Sequence, residues 1–450
     1  MRKTIILFFS TVFCISSFSQ VPFESISFEQ ALLKAKETGR MIFLQFESST
    51  CDECNEVADK AFEDKKLAAR LKQGFICVKI SSKYPDRNNV ANFYNKENFF
   101  GSLFISADGA LIHTFPKTTS LPDAYFKEID FALTKAGEGL RLNEFEKLCT
   151  DNPTNIFFKE QLLSLRKSLY LNTDSLLDEY VSLLPPDSLH SSTTLAFIAQ
   201  QYPIIGSKAD MLMRRDYAIF NKAWYTLSLP VRMGINNRII YKSMRKAIRE
   251  RKPEYAFRVA SFARGTHAEN AQSGNKAYDS NILDYYRETH DTLNYLVRVI
   301  NYYDSYYMTV RVDSIKKKDS LNRAILLAKQ DGEKQIKGDS PIYTKNITYS
   351  PVTQIFTRSL NEGAWTIYTW TNDPFYVKKA LQWAARANEF FENPEAIDTY
   401  ARLLYKTGNS NEAIQQESKA IELKKKRGYK TTEFEIVLAN MKTGKPVIND

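Results

Sequence analysis

Glycine and proline are scarce, with 16 and 15 of the 450 residues, which argues against long disordered tracts. Beyond the first 20 residues, no apolar run is long enough to cross a bilayer. The sequence also lacks a P-loop, a glycine-rich dinucleotide fingerprint and a Ser-His-Asp arrangement, which excludes the enzyme classes that depend on them. What remains, 43% apolar and 25% charged residues, is typical of a globular protein of two or three domains.

Histidine and cysteine are also few, with four and five residues. The histidines are scattered along the chain at His113, His190, His267 and His290. No ligand spacing relates them, and His113, on an alternating strand, is expected to face solvent. A structural zinc site needs four ligands, whereas the CxxC motif Cys51-Asp52-Glu53-Cys54 supplies two. We therefore predict neither a metal site nor another cofactor.

Residues 1–19 predict a secretory signal peptide. Arg2 and Lys3 precede a short apolar core, and small residues surround a cleavage point before Gln20. The segment is too short and wrongly flanked for a permanent membrane span, so we expect an exported protein, periplasmic or secreted and not integral to the membrane. A lipoprotein signal centred on Cys14 is the alternative, although the residue before that cysteine fits it poorly.

Export implies an oxidising compartment. The exported chain would keep Cys51, Cys54, Cys77 and Cys149, too few for a disulfide framework in a chain of this length. Cys77 lies in an apolar run and is expected to be a buried small hydrophobe, and Cys149 is expected on a helix. The CxxC pair is therefore interpreted as chemical rather than structural.

The net charge of +10 raises the question of a nucleic-acid partner, most of all at the basic segment 238–252. Its apolar residues recur at helical spacing, which predicts a helix with a buried stripe and a solvated basic face. An exported protein rarely meets nucleic acid, so we predict no nucleic-acid binding. An acidic partner or an anionic surface stays open.

Up to about Gly137 the pattern alternates between helix and strand, which predicts an α/β domain over residues 20–137. Ser27 is the expected N-cap of a first helix. MIFLQF and FICVKI read as buried strands, separated by one helix from Cys51 to about Lys72. A short helix over residues 88–95, a hairpin with Asp108-Gly109 as a two-residue turn, and a closing helix complete the predicted order.

After a predicted hinge at Gly137-Glu138-Gly139, strand signals almost vanish, so residues 140–450 are predicted to be an all-α helical-repeat domain. Small residues near the C-terminus stand at the offsets of a tetratricopeptide-type unit, namely Ala401, Gly408, Ala413 and Ala420. The repeat is clearest over residues 360–427 and predicts a solenoid with a surface for a protein partner. Aromatic residues there are interpreted as packing rather than a ligand site: Trp365, Tyr368, Trp370, Tyr376 and Trp383.

The stretch FESSTCDECNEVADKAF places a CxxC motif between a strand and a helix, with FISADG further along. Over residues 25–137 the chain resembles the thioredoxin-like superfamily, and most of all its exported members similar to the C-terminal domain of thiol:disulfide interchange proteins. The resemblance implies that Cys51 attacks and Cys54 resolves. Helix geometry agrees, because positions i and i+3 share a face and the helix N-terminus stabilises a thiolate at the first cysteine.

Three supporting positions depart from the family pattern. Thr50 stands where tryptophan usually precedes the motif, and Gln45 where a buried acid accepts the second thiol's proton; water or Glu47 would have to substitute. Phe100, or Gly101 after a shift of one residue, stands at the position of the family's cis-proline, so this loop is expected to differ. Asp52 and Glu53 oppose the Cys51 thiolate, which favours a reductase over an oxidant.

Two functions are predicted as alternatives. The first is an exported thiol–disulfide oxidoreductase, more reducing than oxidising, that acts on a protein client docked by the helical half and receives electrons from a membrane thiol carrier. The second is an interaction protein of the cell envelope in which the thioredoxin-like domain is catalytically weak and the helical repeats bind the partner. The intact CxxC favours the first, and the three departures favour the second.

Overall fold

The computed structural model describes residues 21–49, 51–94, 96, 99–137, 141–267, 269–334 and 351–447. The predicted signal peptide with Cys14, Thr50, and most of the predicted hinge lie outside the described residues. The chain divides into two compact units between Ser228 and Leu229. The boundary predicted between residues 137 and 140 falls inside the first unit and stays a prediction.

The first unit begins with an α/β domain, as predicted. Its elements are α1 (Phe28–Thr38), β1 (Met41–Phe46), α2 (Asp52–Phe62), α3 (Lys65–Gly74), β2 (Phe75–Ile80), α4 (Arg87–Phe93), β3 (Gly101–Ile105), β4 (Leu111–Phe115) and α5 (Pro122–Ala136). The sheet order is β2-β1-β3-β4; β1 runs parallel to β2 and antiparallel to β3. The strand that precedes the CxxC motif is therefore central and buried along its whole length.

Alternate residues of β1 point to opposite faces of the sheet, and each face has its own core. Phe43 lies with the buried residues of α2, α3 and α5. Leu44 lies on the other face with those of α1 and α4. The sheet is thus covered by helices on both sides, and α2 begins at the end of the central strand.

Two local predictions were wrong. The helix from Cys51 to about Lys72 is two helices, because the Asp64 carboxylate caps α3 by accepting the backbone N–H of Leu67 at 2.8 Å. The β3–β4 turn is a three-residue loop, since Ser106 N–H donates to the carbonyl of Ala110 at 2.9 Å. Within that loop Gly109 has a φ of 89°, in the left-handed region that glycine tolerates.

Helices follow to the end of the first unit: α6 (Leu142–Asp151), α7 (Ile156–Ser168), α8 (Asp174–Leu183), α9 (Ser192–Gln200), α10 (Lys208–Met213) and α11 (Tyr217–Trp224), with a 3₁₀ turn at Pro186–His190. The α7–α8 connection packs on the sheet, where Leu169 joins the core beside α1 and α4. Its carbonyl accepts hydrogen bonds from Thr114 Oγ1 at 3.1 Å and from Lys96 Nζ at 2.5 Å. These helices therefore complete one face of the α/β domain.

The second unit is all helical in its described residues. Its helices are α12 (Leu229–Glu250), α13 (Pro253–Gly265), α14 (Ala271–Glu288), α15 (Thr292–Tyr303), α16 (Val312–Lys334), α17 (Val352–Trp370), α18 (Pro374–Phe390), α19 (Pro394–Lys406), α20 (Ser410–Lys426) and α21 (Thr432–Lys442), with a π-helical turn at Asp304–Met308. The long helical region that the sequence predicts is confirmed. Among the described residues, no helix is both long and apolar enough to span a membrane.

Helices α17 with α18, and α19 with α20, pack as neighbouring pairs. Ala401, Ala413 and Ala420 are fully buried, so small residues do lie where the repeat pattern requires close approach. Trp383 is also fully buried, and its indole N–H donates to Asp304 Oδ1 at 3.0 Å, which agrees with a packing role. The tetratricopeptide assignment itself stays a prediction.

Candidate active site

The two cysteines of the CxxC motif lie at the first turn of α2. Cys51 is the N-cap, and the backbone N–H of Cys54 points at its sulfur at 3.2 Å. The two are joined in a disulfide, with Cα atoms 5.3 Å apart. The structure therefore brings both predicted catalytic residues together at a helix N-terminus, where unpaired N–H groups and the helix dipole stabilise a thiolate.

The loop between β1 and α2 is held by a residue that the sequence analysis missed. Asn55 Oδ1 accepts the backbone N–H of Ser48 at 2.8 Å, and Asn55 Nδ2 donates to the Ser48 carbonyl at 2.9 Å. We call this pair of hydrogen bonds the Asn55 clamp. Its only signal in the sequence is an amide side chain directly after Cys54, which by itself does not distinguish a clamp from an exposed helix residue.

A second missed residue, Arg87, holds the same loop from the start of α4. Its Nη2 donates to the carbonyl of Glu47 and its Nη1 to the carbonyl of Ile80, both at 2.7 Å. Burial lowers the pKa of Arg87, which the negative charge of Glu47 partly offsets. Arg87 thereby ties the ends of β1 and β2 together next to the segment that carries the CxxC motif.

Gln45 occupies the position where the family has a buried acid. Its side chain is 2% exposed, and Oε1 accepts a hydrogen bond from Ser102 Oγ at 2.7 Å. Its Nε2 donates to the carbonyl of Phe46 at 3.3 Å. Because the amide is neutral and both its polar ends are paired, it suits its buried site, and it has no proton-accepting carboxylate to offer Cys54.

Charged side chains lie on the same face of the sheet as Gln45. Lys79 pairs with Gln45 in the β1–β2 register. Its ammonium contacts Asp59 Oδ1 of α2 at 2.5 Å and Glu47 Oε1 at 3.4 Å. The Glu47 carboxylate is thus held at the end of β1 by a cation, on the side of the sheet that α2 covers.

Phe100 directly precedes β3, next to the end of β1. Its side chain is 38% exposed, and the next residue, Gly101, pairs with Phe46. Gly101 has a φ of 122°, and a Cβ there would collide with the carbonyl oxygen of Phe115. The described residues contain no cis peptide bond. The strand therefore enters the sheet through a glycine instead of the family's proline.

The remaining supporting positions are Thr50, Asp52 and Glu53, which lie beside the two cysteines in the sequence. Asp52 and Glu53 form the first turn of α2, but their side chains, like all of Thr50, lie outside what is described. The predicted roles of these three residues, and of Gln45 and Phe100, stay predictions.

The two other cysteines among the described residues, Cys77 and Cys149, are buried. Cys77 is 1% exposed, and burial, with a smaller contribution from the Glu24 charge, raises the pKa of its thiol to about 12. Cys149 is 8% exposed on α6, and burial raises its pKa as well. Both thiols therefore disfavour the reactive thiolate.

The expectation that His113 faces solvent was wrong. Its ring is 12% exposed, and Nε2 lies 2.5 Å from Glu128 Oε2 on α5. The ring also stacks on Phe104. His113 thus links β4 to α5, a contact between distant residues that an alternating strand pattern does not reveal.

Comparison with known proteins agrees with this geometry. Residues 23–105 match the family model described as thioredoxin-like. The crystal structure of disulphide isomerase from Xylella fastidiosa Temecula1 is similar at 23% identity, over 25% of this chain and 95% of that chain, with a TM-score of 0.19. No curated protein matches the chain. Residues 23–105, with the CxxC pair at the end of their central strand, are therefore a thioredoxin-like domain.

Proposed function

We propose that this protein is an exported thiol–disulfide oxidoreductase that works mainly as a reductase. The observation that supports it is the Cys51–Cys54 disulfide at the N-terminus of α2, in a thioredoxin-like domain. Such a pair carries two electrons in its reduced form. A client disulfide, not a small cofactor, is the substrate class that this chemistry serves.

The reaction proceeds by two exchanges. The Cys51 thiolate attacks one sulfur of a client disulfide, so that a mixed disulfide forms and the other client sulfur leaves as a thiolate, which takes a proton. Cys54 then loses its proton and attacks Cys51 Sγ, which releases the second client sulfur. The client gains two electrons and two protons, and Cys51–Cys54 becomes the disulfide seen here. A dithiol carrier at the membrane must return two electrons and two protons.

The proton of Cys54 needs an acceptor near the motif. Gln45 is neutral and hydrogen-bonded, so it does not serve. We propose that Glu47, held by Lys79, accepts this proton directly or through water. The carboxylates of Asp52 and Glu53 raise the energy of the Cys51 thiolate, which places the expected potential nearer thioredoxin's value of about −270 mV than the value of about −120 mV of a strong oxidant.

The first test combines a redox titration with insulin reduction by the full chain without its signal peptide. We expect a two-electron transition for the pair, and turnover that is lost in Cys51→Ala but kept in the control Cys149→Ala. Cys54→Ala should trap a mixed disulfide with a client, since the second exchange is blocked. A pair that titrates but shows no turnover above Cys51→Ala would refute the enzyme.

The second candidate is a cell-envelope interaction protein with a catalytically weak domain, and the neutral Gln45 is the observation that favours it. In both candidates we propose that the helical region docks a protein. Mass analysis of the chain expressed with its own N-terminus checks export: cleavage before Gln20 supports it, and an intact Met1 in the cytoplasmic fraction contradicts it.

A further inference from the structure

A segment of two consecutive helices has a net charge nearly as large as that of the whole chain. From the start of α12 to the end of α13, residues 229–265 contain ten Lys or Arg and two Asp or Glu, a net charge of +8 against +10 for the whole chain. The segment is far from the CxxC motif in the sequence, and none of its residues takes part in the proposed thiol exchange.

Helix α12 carries part of these charges on the side opposite its buried residues. Its buried residues Ile235, Ile239 and Ala247 anchor one side of the helix in the second unit. Positions three and four residues apart form one stripe, in which Tyr241 and Arg249 are exposed and Arg238 and Arg245 are half-buried. We call this stripe the α12 face. Its ends are 11 residues apart, so it is about 16 Å long at the rise of an α-helix.

The cations of this region contact aromatic rings as well as acids. The Arg238 guanidinium lies over the ring of Tyr241, with 5.4 Å from Cζ to the centroid, and Tyr241 is 56% exposed. Arg245 contacts Glu288 at 3.3 Å, and Lys252 contacts Glu250 at 2.9 Å. These two carboxylates and Glu254 are far fewer than the ten cations of the segment, so the surface keeps a strong positive potential that suits a polyanion.

Exposed apolar residues lie at the start of the same helix. At the first residues of α12, Leu229, Val231 and Met233 are 60%, 42% and 56% exposed. At 3.6 residues per turn, Val231 lies on the same side of the helix as the α12 face, whereas Leu229 and Met233 lie on other sides. A bilayer offers anionic headgroups next to an apolar layer, and it accepts cations and apolar side chains along one helix.

We propose that the α12 face docks on a bilayer surface rich in anionic lipid. Arg238, Arg245 and Arg249 bind lipid phosphates, Tyr241 lies among the headgroups, and Val231 in the first turn of α12 reaches the boundary of the acyl layer. The association is peripheral and rests mainly on charge. It is independent of the thiol chemistry, so either can fail without the other.

The test is sedimentation of the full chain, without its signal peptide, with vesicles of phosphatidylcholine alone or with about one third phosphatidylglycerol. Binding is expected only to the anionic vesicles, strong at about 0.1 M salt and weak at about 1 M, where screening is shorter. One cation near the surface changes affinity about fivefold. Arg238→Gln with Arg249→Gln should therefore weaken binding about 25-fold, and the triple change of Arg238, Arg245 and Arg249 to Glu more than about 100-fold.

The matched control is Lys316→Glu, Lys317→Glu and Lys318→Glu on α16, which makes the same charge change at three exposed lysines. Circular dichroism checks that each variant is folded. If the triple Glu variant unfolds, the milder Arg238→Gln with Arg249→Gln variant decides the test. Equal binding to both vesicle types overturns the proposal, and so does an equal loss in the α16 control. Tighter binding to polyglutamate or to an oligonucleotide than to anionic vesicles also overturns it.

Discussion

The Asn55 clamp leads to a quantitative prediction. Asn55→Ala removes both hydrogen bonds to Ser48, at 2.8 and 2.9 Å. A hydrogen bond contributes about 0.5–1.5 kcal/mol net, and Ser48 is partly exposed, so water replaces part of the loss. We expect the free energy of unfolding of the first unit to fall by about 1–2 kcal/mol, with a larger relative effect on the site.

The larger effect follows from position. The clamp joins the end of β1 to the turn of α2 that carries both cysteines, so its loss lets the helix start move relative to the strand. Contact of Cys51 with the N-terminal N–H groups then weakens, and its thiolate in the reduced protein loses stabilisation. We expect insulin reduction to slow about tenfold, which corresponds to about 1.4 kcal/mol.

The assay is the rate of Cys51 alkylation against pH, measured together with insulin reduction and urea unfolding. Asn55→Asp keeps an acceptor for the Ser48 N–H but has no N–H to donate, and should give an intermediate loss of stability. Asn89→Ala, an exposed asparagine on α4, is the matched control and should behave as wild type. An unchanged alkylation profile in Asn55→Ala would refute the positioning role, even if stability fell.

Three further predictions concern buried groups. Burial raises the pKa of Glu417, so folding takes up a proton and the stability of the second unit should fall as the pH rises above the ordinary glutamate range; Glu417→Gln should flatten this slope in urea unfolding. Gly363→Ala places a Cβ within 3 Å of the buried Tyr303 ring and should lower the free energy of unfolding by about 1–3 kcal/mol. Gly234→Ala adds a Cβ in open space and should instead stabilise its helix, and thermal unfolding of both variants measures the difference. Cys77 should resist iodoacetamide in the reduced native protein and react on unfolding, as mass spectrometry of its peptide would show; early labelling would contradict its burial.

The sequence predicted the elements that periodicity encodes. Buried runs gave β1 and β2, and the position of the CxxC motif between strand and helix gave the site. Local hydrogen bonding decided what was wrong: Asp64 caps a new helix, and Ser106 pairs with Ala110 to set the hairpin loop. Aspartate and serine are common residues, and whether they form such hydrogen bonds depends on the surrounding backbone.

Contacts between distant residues escaped prediction altogether. Arg87 binds carbonyls that lie 7 and 40 positions away in sequence, and its pattern is that of any helix-start arginine. His113 meets Glu128 only because β4 packs on α5. No periodicity records such pairings, and the positions around a reactive group are often set by them.

The packing of Leu169 has a consequence for modularity. The residue lies beyond the predicted domain, yet it is 3% exposed in the core beneath the sheet, and its carbonyl binds Thr114 and Lys96. A fragment cut at residue 137 would open that core and expose a nearly buried ammonium. The thioredoxin-like domain cut at residue 137 therefore lacks part of its core and cannot be transferred by itself. A transplant, a fusion or a minimal enzyme derived from this chain must carry the α7–α8 connection with it.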